Sequence, residues 1–203
     1  ISNYPGSEEA KIALQDLKSV YIDLNDINAY ASYVNSIGGN IRLEVGEQDS
    51  LTYIAAEKLF MRGDNDGARR SLINYLQTFP EGAFSSNANF YLGSIAFAKK
   101  EFDEAIQRFK SVIASGDTKF LEESVARTAE IEYLSKDYPA ALESFKRLQI
   151  VAENPENRQA ARLGIMRCAL QTGQQKDALL AADELLKEPK LSRTGSRSPL
   201  RTC

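Results

Sequence analysis

Apolar residues recur at spacings of three and four along most of the chain, the period of helices that bury one face. Leu51, Ile54, Ala55, Leu59 and Phe60 make one such stripe, broken at Gly63-Asp64-Asn65-Asp66-Gly67. Ala68, Leu72, Ile73, Tyr75, Leu76 and Phe79 make the next, and Pro80 ends it because proline cannot continue a helix. The pattern then predicts helices over about 84–100 and 102–114, 119–135 and 138–153, and 156–172 and 175–187. Residues 7–23 and 26–37 form a more divergent pair, carrying Leu14, Leu17, Val20 and Tyr21, then Ile27, Tyr30, Tyr33 and Val34. Gly38-Gly39-Asn40 and Gly46 interrupt helix formation, so 41–45 reads as an extended connector. No segment alternates like a strand.

A small residue gives these helices a period. Ala68, Ala105, Ala141 and Ala178 recur about every 37 residues. Each sits inside the same local pattern, as in Phe102-Asp103-Glu104-Ala105 and Tyr138-Pro139-Ala140-Ala141. Ala29 takes the same place in the first pair, one slightly longer repeat before Ala68. Pro5, Pro80 and Pro155 add a second, even period of two repeat lengths, each after an expected helix end. Periods of this size mean stacked helical hairpins, none able to bury its apolar face alone. The expected fold is all-α, about five antiparallel helix pairs. Residues 1–6 read as the end of a preceding repeat, 7–48 as the divergent pair and connector, 49–188 as four regular pairs, and 189–203 as a tail.

These positions resemble the tetratricopeptide repeat. That hairpin wants a small residue and then a large one on its first helix, alanine and then an aromatic or large apolar residue on its second, and a closing proline. Ala56, Leu59, Gly63, Ala68, Leu72, Tyr75 and Pro80 fall on the pattern without a gap. Leu92-Gly93, Ala96, Phe102, Ala105, Phe109 and Val112 form a second copy. Ala129, Tyr138, Ala141, Phe145 and Leu148 form a third, and Ala169, Gly173, Ala178, Ala182 and Leu185 a fourth. The chain departs from the family in having no tryptophan, in Glu132 where a large residue is usual, and in a period above about 34 residues. The resemblance covers roughly residues 7–188. It implies a right-handed superhelical solenoid whose first helices line a concave groove for an extended or helical segment of a protein partner.

The register of the resemblance places Tyr53, Glu57, Phe60, Phe90, Phe97, Arg127, Glu130, Tyr133 and Arg167 in that groove, with Lys18 and Tyr21 at its edge. Aromatics and arginine are the usual anchors of interfaces, and Tyr53, Phe90 and Arg127 lead this set. The competing role for the aromatics is packing between hairpins. A clamp for a partner's C-terminal carboxylate is not expected, because its Lys and Asn positions hold Tyr53 and Glu57, Phe90 and Ser94, and Ala126 and Glu130. Two carboxylates there would repel the ligand. A narrower likeness lies in Tyr4-Pro5-Gly6-Ser7, Phe79-Pro80-Glu81-Gly82 and Asn89-Phe90-Tyr91-Leu92-Gly93. These resemble bacterial envelope repeat proteins of the Tol-associated and barrel-assembly types. The likeness implies a periplasmic or outer-membrane setting. The expectation is therefore a non-catalytic interaction scaffold within a longer envelope protein, since the chain starts at Ile1. A glycan- or nutrient-binding repeat protein, or the non-catalytic part of a larger enzyme, are the alternatives.

Composition narrows the chemistry. The 203 residues are 43% hydrophobic and 26% charged, an ordinary folded balance, and no apolar run approaches the roughly 20 residues that cross a bilayer. Net charge is −3, but the last eleven residues hold three Arg and no acid, leaving 22 basic against 28 acidic residues, or −6, before them. An acidic body argues against nucleic acid as a partner, which needs a clustered basic face. The tail itself has no helical pattern and is expected to be a flexible or artefactual end. With no histidine, imidazole bases, His triads and imidazole metal sites are excluded. Cys168 lies in an apolar helical pattern and reads as an inert core thiol, while Cys203 is terminal, so no disulfide framework is expected. Asp103-Glu104 and Glu122-Glu123 suit helix starts, where the helix end favours anions. Asp64-Asn65-Asp66-Gly67 reads as a turn, lacking the later spacing of a calcium loop. No catalytic residue, cofactor or metal is expected.

Overall fold

Polar residues start most of the helices that the apolar stripes predict. The computed structural model describes residues 1, 6–37 and 42–187. Among the described residues there are ten helices and no strand. They are α1 (Glu8–Leu24), α2 (Ile27–Ser36), α3 (Val45–Met61), α4 (Asn65–Thr78), α5 (Ser85–Ala98), α6 (Phe102–Ser115), α7 (Thr118–Leu134), α8 (Tyr138–Val151), α9 (Pro155–Gln171) and α10 (Gln175–Lys187). Tyr4 and Pro5, the Gly38-Gly39-Asn40 break with Ile41, and the tail with Cys203 lie outside the described residues. Two compact units result, Ile1–Ala98 with α1 to α5 and Lys99–Cys203 with α6 to α10.

Side-chain caps set the helix starts. Ser7, Asp26, Asp64, Asp117, Asp137 and Asn154 each accept from a backbone N–H in the first turn, at 3.2, 3.1, 2.9, 2.9, 3.2 and 2.8 Å. Each such cap contributes roughly 1 kcal/mol. Asp64, the first residue of the calcium-like string, is thereby committed to the Gly67 N–H. The first helices also end alike. The N–H groups of Asp26, Asp64, Asp137 and Gln174 reach back to the carbonyls of Tyr21, Leu59, Glu132 and Ala169, at 3.0, 3.0, 2.9 and 2.8 Å. Closing a helix this way needs a left-handed residue just before. Gly63 and Gly173 supply it at φ 83° and 74°, whereas Asn25, Lys100 and Lys136 take it at 55°, 61° and 63°.

Small residues seal each hairpin. In the first unit Ala56 of α3 and Ala68 of α4 are fully covered, and Leu72, Tyr75 and Leu92 fill the space beside them. In the second unit Ala129, Ala141, Ala161 and Ala169 play the same part around Phe145, Leu142 and Leu148. Close helix approach needs the absence of bulk at these points. Several stripe positions differ from the pattern. Val20 and Ile54 are exposed, and Ile22 and Tyr53 pack inward instead. Tyr30, four residues after the Asp26 cap, holds the place that Ala68 holds after Asp64, so Ala29 is not the recurring small residue.

A carboxylate at the head of two first helices latches the loop beyond its own hairpin. Asp49 of α3 accepts from the Tyr75 hydroxyl at 2.5 Å and from the Ala83 N–H at 2.9 Å. Glu122 of α7, two repeats further on, accepts from the N–H groups of Glu153 and Asn154 at 2.9 and 3.2 Å and from Asn157 Nδ2 at 2.7 Å. Burial pushes the Glu122 carboxyl up, but these bonds prevail and hold its pKa below the usual 4.5. A carboxyl lowered on folding stabilises above its unfolded pKa, and that stability is lost as pH falls through the folded value. Urea unfolding should therefore show Glu122→Gln weaker than the parent at pH 7, with the gap closing as pH falls through the lowered Glu122 value. A gap independent of pH would contradict the latch.

Candidate functional site

The residues placed in the groove by register divide five to four between the units. In the first unit Tyr53, Phe60 and Phe90 gather around Glu57 and Tyr91. Glu57 Oε1 accepts from the Tyr53 hydroxyl at 2.5 Å and from the Tyr91 hydroxyl at 3.0 Å, and Asn87 Nδ2 donates to Tyr53 at 3.2 Å. Tyr53 and Glu57 sit one turn apart on α3, while Asn87 and Tyr91 sit one turn apart on α5. Burial, reinforced by the Glu57 carboxylate, pushes the Tyr53 hydroxyl well above its ordinary pKa and raises that of Tyr91, so both stay protonated donors. Phe60 lies on the Tyr91 ring at 4.6 Å between centroids, and Phe90 meets Tyr91 edge-on at 5.7 Å. Phe60, Phe90 and Phe97 are all half-buried.

Tyr53 does not belong to the presented surface. It is 2% exposed, stacked on Phe84 at 4.5 Å and edge-on to Tyr75 at 5.8 Å. It orients Glu57 from within the core. The register places it correctly on α3, but the Phe84 loop covers its ring.

In the second unit Arg127 is held between two carboxylates of α7, with Nε to Glu123 at 2.8 Å and one terminal nitrogen to Glu130 at 2.9 Å. Burial raises the Glu130 carboxyl against the pull of Arg127. Tyr133 is half-buried, edge-on to Tyr138 and Phe145 at 5.7 and 6.5 Å. Arg167 of α9 is exposed. Register alone missed a further feature. Met61, Leu134 and Leu170, near the ends of α3, α7 and α9, are 64%, 44% and 60% exposed. Met61 and Leu134 lie two repeats apart, at the same point of their hairpins.

Cys168 is buried in the α8–α10 core, and burial pushes its thiol up to about 11, which keeps it a protonated packing group at neutral pH. Among the described residues no group of three or more Cys, Asp or Glu is placed to hold a metal, and no helix is long and apolar enough to cross a membrane.

The tetratricopeptide repeat family model matches residues 55–118, from within α3 to the start of α7. No curated protein matches the sequence. Among solved structures, MamA AMB-1 is 13% identical with a TM-score of 0.60, over 94% of this chain and 96% of that one. Another MamA protein is 15% identical at 0.57, over 89% and 92%. A kinesin-light-chain-like protein of nearly identical TPR-like repeats from Podosopora anserina is 14% identical at 0.51, over 86% and 92%. At these identities the likeness is one of fold, the all-α solenoid of helical hairpins.

Proposed function

We propose that this chain, a tetratricopeptide repeat protein by the match of residues 55–118 and by its fold, is an interaction scaffold that takes a protein segment along its first helices. Proteins built of such repeats are generally non-catalytic scaffolds that use extended helical surfaces for binding. The observation that supports this reading best is the recurrence of exposed Met61 and Leu134 at the same point of their first helices, next to half-buried Phe60 and Tyr133, with exposed Leu170 at the place those two aromatics hold in α9. An apolar side chain kept in water at a repeated position is what a partner covers. Beside it stand oriented polar groups, Glu57 with its tyrosine donors in one unit and Arg127 with Glu123 and Glu130 in the other. Groups already held by neighbours lose little freedom on binding, which favours selectivity. The likeness of the Phe79-Pro80-Glu81-Gly82 and Asn89-Phe90-Tyr91-Leu92-Gly93 strings to bacterial envelope repeat proteins supports a bacterial envelope setting, within a larger protein.

Peptides selected from a displayed random library on the whole chain test the surface. Met61→Ser with Phe90→Ala, or Leu134→Ser with Leu170→Ser, should weaken the selected peptides at least tenfold, roughly 1.4 kcal/mol or more. Circular dichroism should show both variants folded. Unchanged affinity in both would move binding off the first helices.

A further inference from the structure

Each unit also contains a cavity framed by two successive second helices and floored by the first helix between them. In the first unit it measures about 300 Å3, with Thr52, Ser71 and Asn74 in its lining. In the second unit it measures about 330 Å3 and is lined by Lys110, Ile113 and Ala114 of α6, Val125 of α7, and Ser144 and Arg147 of α8. Thr52, Ser71 and Asn74 stand two repeats before Val125, Ser144 and Arg147, each at the matching position. The space is thus a property of hairpin stacking at that register, and the side chains decide what it can hold. Around the first cavity stand Asn25, Asn28 and Asn74, with Arg70 and Asp26 opposed in charge. The second combines an aliphatic wall with two cations.

The chain's departure from the repeat pattern lies beside that second cavity. Glu132, where a large residue is usual, is 5% exposed, and its carboxylate takes Lys110 Nζ at 3.2 Å and the Ser144 hydroxyl at 2.6 Å. A buried carboxylate is costly unless paired, and here both of its partners line the cavity. Lys110 is thereby drawn to the cavity, and among the described residues Glu132 takes only one of its three donors. Arg147 is exposed and makes no hydrogen bond or ion pair among the described residues. Lys110, Arg147 and Glu132 together carry +1, in a chain of net −3. A guanidinium fork matches a carboxylate in two parallel bonds, while Ile113, Ala114 and Val125 offer nothing polar.

We propose that this cavity binds a carboxylate borne on an aliphatic body, the carboxylate on Arg147 and Lys110 and the body against Ile113, Ala114 and Val125. The site lies apart from the first-helix surface and does not depend on the scaffold reading. Two sources share the chemistry, a free aliphatic acid and the C-terminus of a polypeptide ending in an aliphatic residue.

Isothermal titration of the whole chain with sodium octanoate, and separately with acetyl-Ala-Val-Leu as the free acid, distinguishes them. The proposal expects saturable binding of at least one. The corresponding amide, octanamide or the C-terminally amidated peptide, should bind at least tenfold more weakly. Arg147→Gln should weaken the acid at least fivefold, and Ala114→Leu, which fills the space, should abolish saturation. Both variants change exposed residues, and far-ultraviolet circular dichroism should show them folded. Binding of octanoate alone assigns a free acid, and binding of the peptide acid alone or more tightly assigns a polypeptide end. Saturation by neither acid, equal binding of acid and amide, or an unchanged Arg147→Gln affinity overturns the proposal.

Discussion

Replacing Asp49 by Ala should lower the unfolding free energy of the first unit by about 3 kcal/mol, from two buried or part-buried donors stripped of their acceptor. The Tyr75 hydroxyl is the larger part. Tyr75 is fully covered, donates to Asp49 Oδ1 at 2.5 Å, and accepts from the Phe84 N–H at 3.0 Å. Without Asp49 its buried hydroxyl loses the acceptor it is bonded to, and the Ala83 N–H loses Oδ2 as well. Desolvation that is no longer offset exceeds the modest net worth of an ordinary hydrogen bond, which sets the size of the effect. Tyr75→Phe should cost less, about 1–2 kcal/mol, because the Asp49 carboxylate keeps the Ala83 bond and a path to solvent. Asp49→Ala combined with Tyr75→Phe should then cost well below the sum of the two, the signature of a direct pair. Urea unfolding followed by circular dichroism measures all three. A loss under about 0.5 kcal/mol for Asp49→Ala would show that the latch is ornamental.

The second large effect is expected at Gly164, where Ala should destabilise by roughly 2 kcal/mol although alanine is the better helix former. Gly164 lies inside α9, and helix propensity alone would make the change favourable by about 1 kcal/mol. Packing reverses the sign. A Cβ at this point would meet Cγ, Cδ1 and Cδ2 of Phe145, the latter two at 2.5 Å, nearer than non-bonded carbons come. Phe145 cannot step aside, since its ring is buried within the core of α7 to α10. Phe145→Leu frees the space, so Gly164→Ala should be nearly neutral or stabilising in that background. Thermal unfolding of the four variants reads the coupling. A Gly164→Ala protein as stable as the parent in the Phe145 background would mean the helices can part without loss.

Both positions show where reading the chain stops. The recurring Ala68, Ala105, Ala141 and Ala178 were visible because hairpin packing imposes one small residue at one register in the four regular pairs, a place that Tyr30 holds in the first. The left-handed turns were partly visible, as Gly63 and Gly173, and partly hidden, since Lys100 and Lys136 occupy the same place against their preference. Gly164 was invisible, because Ile54, Tyr91 and Arg127 hold the matching positions of the other first helices and no repeat rule asks for glycine there. Glu122 looked like an acid at a helix start, and Asp49 drew no reading at all. Their bonds run to loops nearly a full repeat away, which no local pattern encodes.

The candidate surface divides in the same way. Tyr53 looked like an anchor by register, but Phe84 covers it, whereas Glu57, Phe60 and Phe90 keep partial exposure on the same helices. Met61, Leu134 and Leu170 carry no local mark of exposure, and packing leaves them uncovered. Element type, hairpin number and repeat register are local properties, set by spacing along one helix and by capping within a few residues, so the primary structure alone conveys them. Which aromatic is buried, which carboxylate is latched and which cavity carries charge depend on groups brought together from distant helices, and only their packing in space determines it.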